Sequence, residues 1–149
     1  MTVAVTRKPL ELVSRRVFHA PRSLVFEAWS KPDHMVRWWG PKGFTLPVCE
    51  MDFRTGGAFR LVMRGPDGAE YPFEGTYDEV VPPERIAFTG LVHEGNTART
   101  TVTFTEHQGK TTVTVRQTYT LESDATRGAA QGWSESLDRL AAVVERPRT

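Results

Sequence analysis

Apolar and polar positions alternate in two different rhythms along the chain. Leu10 to Phe18 is rich in Leu, Val and Phe and stops at Ala20-Pro21, which predicts a strand with a defined end. Pro21 suits a first helical turn, and Leu24, Val25, Ala28 and Trp29 recur at helical spacing, so a short helix follows. A second short helix begins at Lys31-Pro32, carries Met35, Trp38 and Trp39 on its apolar side, and ends at Gly40-Pro41. From Phe44 to Leu121 the period becomes two. Phe44-Leu46-Val48 alternate before the phase slips to Cys49-Met51-Phe53, the mark of a β-bulge or of a strand covered on both faces. Phe59-Leu61-Met63 lead to a Pro66-Asp67-Gly68 turn, and Tyr71, Phe73, Gly75 and Tyr77 continue the next strand to Pro82-Pro83-Glu84. Strands over 85–91, 98–106 and 110–121 complete six antiparallel strands after the helix pair, with Thr100-Thr101 and Thr111-Thr112 read as exposed positions. The period then returns to that of a helix over 124–145, where Trp133, Leu137, Leu140 and Val144 share a face.

This order excludes a doubly wound sheet, whose parallel strands would need crossover helices. The economical solution is an α+β helix-grip architecture: a curved antiparallel sheet of about seven strands wrapped around the long C-terminal helix, with two short helices after strand one. Gly128, Gly132 and Ser136 recur every fourth residue in that helix. Each internal Gly costs about 1 kcal/mol relative to Ala, so close packing on the sheet or room for a ligand should offset it.

The 149 residues fit one domain, large enough to bury roughly 68–70% of its unfolded surface. Nineteen basic and eighteen acidic residues leave a net charge of +1, which gives no field for a nucleic-acid backbone or an anionic membrane. Neither a membrane span nor a secretion signal is legible, and a lone cysteine, Cys49, suits the reducing cytoplasm. Cys49 reads as a small buried hydrophobe with no paired base.

Chemistry is sparse. His19, His34, His93 and His107 have no metal-ligand spacing, Gly56-Gly57 lacks the frame of a phosphate loop, and Gly-x-Ser-x-Gly is absent. No metal, no cofactor and no catalytic residue is therefore assigned. Glu50 and Asp52 share one strand face, as paired carboxylates would need, but a solvated outer face opposite Cys49 and Met51 is the better account of them. Gln117 interrupts the Val113-Val115 face; if that face points inward, its amide stands in an apolar interior, and otherwise it lies at a wet edge.

Ala20-Pro21 through Val25-Phe26 and Ala28-Trp29, His34 to Trp38-Trp39-Gly40-Pro41, Gly56-Gly57, Pro66-Asp67-Gly68, Gly75-Thr76-Tyr77, Pro82-Pro83-Glu84-Arg85 and Gly132-Trp133 occur in an order that resembles the bacterial SRPBCC (START-like) family. The similarity runs from about Leu12 to Val144 and is nearest to the branch named for the activator of heat-shock protein 90 ATPase homologue. The resemblance implies a helix-grip fold around a hydrophobic cavity, shared with birch-pollen-allergen-like, lipid-transfer and polyketide aromatase/cyclase proteins. It also brings in a chaperone as a possible partner, although members that stimulate the chaperone carry a further N-terminal domain and the first strand here starts at Leu10.

Inward aromatics are explained by core packing alone in most proteins. The resemblance implies that this interior is partly empty, lined by Trp39, Phe59, Leu61, Met63, Phe73, Tyr77, Phe88, Phe104, Val115, Gln117, Trp133 and Leu137, with the Tyr77 hydroxyl and the Gln117 amide as polar anchors. The leading expectation is a binding protein for a small hydrophobic or aromatic molecule. An aromatase/cyclase-like enzyme would draw on Tyr77, Gln117 and an inward Glu50, and a co-chaperone or stress-response role would show as a filled core or a large outer apolar patch. An exposed sheet edge leaves a homodimer open.

Overall fold

Alternation and helical stripes resolve into ten elements in the computed structural model, which describes residues 10–93, 96–120 and 128–145. β1 (Leu10–Phe18) precedes α1 (Arg22–Glu27) and α2 (Pro32–Met35). β2 (Thr45–Met51), β3 (Ala58–Arg64), β4 (Glu70–Val81), β5 (Arg85–His93), β6 (Asn96–His107) and β7 (Lys110–Tyr119) follow, and then α3 (Ala129–Val144). All seven strands form one antiparallel sheet in the order β1-β7-β6-β5-β4-β3-β2. β1 and β2 are thus opposite edges, and the chain between them crosses the sheet's full width. That crossing is made by α1, which lies against β6 and β7, and α2, which lies against β2. No helix among the described residues is long and apolar enough to cross a membrane.

Strand alternation sets the inner face. On β7, Thr111, Val113, Val115, Gln117 and Tyr119 are buried, and on β6 Ala98, Thr100, Val102 and Phe104 join them. Thr100 and Thr111 are therefore corrections to the exposed reading of the threonine pairs. Their neighbours Thr101 and Thr112 occupy the other face, while the two buried hydroxyls have partners: Thr111 donates to the Ala20 carbonyl at 2.7 Å, and Thr100 accepts from Gln117. The phase slip in β2 is a register shift between Thr45 and Val48, at a strand position where Pro47 has no N–H to give.

Gly75 and Gly90 face each other across β4 and β5. A Cβ on Gly75 would lie 1.8 Å from the Thr89 carbonyl oxygen, and one on Gly90 would lie 2.5 Å from the Phe73 ring, which fills the space above it. Only glycine permits this approach.

α3 buries Trp133, Ser136, Leu137, Leu140, Ala141 and Val144. Its backbone runs closest to β1, where Arg16 pairs with Asp138 and the His19 N–H donates to the Glu145 carboxylate at 2.7 Å. The helix is described from Ala129; residues 124–127 at its expected start, and Leu121 at the expected end of β7, lie outside the described residues.

Beneath α3 sits an aromatic cluster containing all four tryptophans of the chain. Trp29 is 4.6 Å from Trp38, 6.0 Å from Trp39 and stacked on Trp133 at 6.0 Å, and Trp39 meets Trp133 edge-on at 5.4 Å. The Trp38 indole donates to the Ala28 carbonyl at 3.0 Å, which ties the segment after α2 to the end of α1.

Candidate functional site

Because α3 leans on β1, it stands away from the far half of the sheet, and the gap is a cavity of about 500 Å³. That lies within the ~300–1,000 Å³ range of small-molecule sites. Trp39, Leu61, Met63, Phe73, Gln117, Tyr119, Trp133 and Ser136 line it; Phe44, Glu70, Tyr71, Pro72, Gly128 and Ala129 form the more exposed rim, between the β3–β4 hairpin and the start of α3.

Gln117 is the polar centre. Its amide oxygen accepts from the Trp133 indole at 2.9 Å and its nitrogen donates to Thr100 at 2.7 Å, so the amide has a fixed orientation. β7 lies between β1 and β6, and Gln117 is buried, which closes the wet-edge alternative.

The loop after α2 forms another wall and is bound to α3 by three side chains. The Gly40 N–H donates to Ser136 Oγ at 3.1 Å and the Lys42 N–H to the Glu135 carboxylate at 2.9 Å. Arg139 donates to the carbonyls of Gly40 and Pro41 at 3.0 and 3.2 Å. Gln131 and then the Lys42 N–H hold the Glu135 carboxyl below its ordinary pKa, and burial lowers that of Arg139. Gly132 faces Pro41 across this seam; a Cβ there would lie 3.4 Å from the proline ring.

The family described as Activator of Hsp90 ATPase homolog 1-like protein matches residues 19–145. The chain belongs to this family. Solved structures agree with the helix-grip fold of an Activator of Hsp90 ATPase homolog 1-like protein. A protein from Chromobacterium violaceum shares 30% identity at a TM-score of 0.85, over 92% of this chain and 98% of that one. One from Rhizobium leguminosarum shares 29% at 0.77, over 95% and 98%. An AHSA1-like protein from Aeromonas hydrophila shares 25% at 0.73, over 91% and 92%. No curated protein matches the chain.

In this member of the family, six of the twelve residues expected at the cavity stand on its wall: Trp39, Leu61, Met63, Phe73, Gln117 and Trp133. Phe59, Tyr77 and Phe88 instead surround a separate void of about 10 Å³, room for one water at most, and Phe104, Val115 and Leu137 are buried in the core. Phe59 touches Phe73, Tyr77 and Phe88 at ring centroid distances of 5.2–5.7 Å, so this part of the interior is packed. Burial, and then the nearby Cys49, raise the Tyr77 pKa.

The groups an enzyme would have used are not brought together. Glu50 is on the outer face, 3.8 Å from Arg60, and Asp52 is exposed and bonded by Arg54. Cys49 is half-buried rather than sealed in the core, and burial, followed by the charge of Asp33, pushes its thiol up to about 11. No group of three metal-ligating side chains occurs among the described residues.

Phe44, Tyr71, Tyr119 and Ser136 were not among the expected lining residues. Tyr119 was legible as the next inward position after Gln117, and Ser136 as the third of the small residues on α3. Phe44 and Tyr71 stand at the rim, where period-two alternation no longer distinguishes cavity from solvent.

Proposed function

We propose that the protein binds a small hydrophobic or aromatic molecule in the cavity between α3 and the curved sheet. The observation that carries this reading is the cavity itself, about 500 Å³ open at one rim and walled by Trp39, Leu61, Met63, Phe73 and Trp133. Burial of apolar ligand surface drives such binding, and flat aromatic walls favour flat or ring-bearing molecules. The outward Glu50 supports binding over aromatase/cyclase-like turnover, since a reaction would need acid and base groups inside the same space. An open cavity likewise supports ligand binding over a filled interaction module.

The test is native mass spectrometry of the purified protein, followed by a thermal-shift screen against fatty acids, steroids, flavonoids and polyketide-like aromatics. A ligand at a hundred times its Kd stabilises a fold by about 2.7 kcal/mol. A dose-dependent shift confined to one chemical class is the expected result. A folded protein with no bound mass and no shift across the panel overturns the reading and directs attention to protein partners, as the family's description would.

A further inference from the structure

The cavity holds a hydrogen-bond donor that the protein itself leaves unused. Tyr119 stands on the inner face of β7 two residues beyond Gln117, is 7% exposed, and lines the cavity wall. Its hydroxyl has no partner among the described residues. Among the described residues, the fully buried side-chain polar atoms without a partner are Arg16 Nε and Trp29 Nε1, and the Tyr119 hydroxyl is not one of them. An unpartnered hydroxyl on a nearly buried ring that still reaches open space therefore faces the cavity. Burial pushes its pKa up to about 12, so it remains a neutral phenol and a donor.

Two other polar side chains of the wall are engaged, while the Trp39 indole N–H, like the Tyr119 hydroxyl, has no partner among the described residues. Gln117 is held by Trp133 and Thr100, and Ser136 by the Gly40 N–H. Among the described lining residues the charged side chain is Glu70 at the rim, paired with Arg64 at 2.7 Å, and none is cationic. Arg139, on the same helix as the wall, directs its guanidinium to backbone carbonyls of the loop. A carboxylate entering this space would lose its hydration and meet no cationic side chain among the described lining residues. A carbonyl oxygen would lose less and gain the Tyr119 hydroxyl.

We propose that the cavity selects neutral molecules bearing a carbonyl oxygen, which the Tyr119 hydroxyl binds as donor, and rejects carboxylates of the same shape. This rests on the cavity being the binding site.

The test uses three probes on one skeleton, 1-acetylpyrene, 1-ethylpyrene and 1-pyrenecarboxylate, titrated by pyrene fluorescence into the wild-type chain and Tyr119→Phe. The wild type is expected to bind the acetyl compound on the order of tenfold more tightly than the carboxylate. Tyr119→Phe keeps the ring and removes the donor; it is expected to weaken the acetyl compound about three- to tenfold relative to the ethyl compound. Binding of all three with no such preference, or a preference that survives Tyr119→Phe, overturns the carbonyl proposal and leaves the cavity reading standing. Tightest binding of the carboxylate does the same and points to a cation at the mouth. No binding of any probe to the folded wild type overturns the cavity reading and the proposal together.

Discussion

The Trp133 indole N–H and the Gln117 amide oxygen meet at 2.9 Å, and this bond ties α3 to β7, the strand beside edge strand β1, at the wall of the cavity. Trp133→Phe leaves the buried oxygen without its donor, at a cost of about 1–3 kcal/mol beyond the smaller ring. Gln117→Met removes the acceptor and leaves the Trp133 indole N–H without its partner. The double variant is expected to be less destabilised in urea than the sum of the two single variants; additivity within about 0.5 kcal/mol would show that the bond carries no coupling.

Trp133 and Trp29 stack on one another, yet only Trp133 reaches the cavity. Each →Ala change is expected to cost about 3–5 kcal/mol of stability. Their effects on binding should diverge, with Trp133→Ala altering the affinity for a screened ligand and Trp29→Ala leaving it nearly unchanged at a temperature where both remain folded. Equal losses of affinity would place the ligand elsewhere.

Gly132→Ala adds a methyl group 3.4 Å from the Pro41 ring, an ordinary contact, in a helix interior where Ala is favoured by about 1 kcal/mol. The variant is expected to melt higher and to bind bulky ligands more weakly, because the methyl group occupies cavity space. A lower melting temperature would mean that the seam between α3 and the loop cannot yield even slightly.

Glu135 links that seam to pH. A carboxyl held below its ordinary value stabilises the fold fully above its unfolded pKa and loses that contribution as the pH falls through its folded one. Glu135→Gln is therefore expected to melt below the wild type at pH 7, with the gap closing below about pH 4. A gap that does not change with pH would remove the carboxylate from the docking of the loop.

Much of this fold was readable because two periods carry it. Alternation set the facing of Leu61, Phe73 and Gln117, and a stripe of helical spacing placed Trp133 and Leu137 inward. What alternation does not encode is distance. Phe59, Tyr77 and Phe88 face the same interior as Leu61 and Phe73 but pack against one another, because the empty volume depends on where α3 rests against the curved sheet, which here is at β1. The bonds from Glu135 and Arg139 to the loop were hidden for a different reason: such residues on a surface helix read as a solvated face, and their backbone partners carry no side-chain signature.

The tryptophan cluster gives the chain a built-in optical reporter. Neighbouring indoles have centroids 4.6–6.0 Å apart, close enough for excitation to pass from one to the next. Excitation of any one can migrate to Trp39 or Trp133, the two that form part of the cavity wall. A molecule that quenches either should darken the emission of the whole protein, so occupancy of the cavity can be followed on the unlabelled chain.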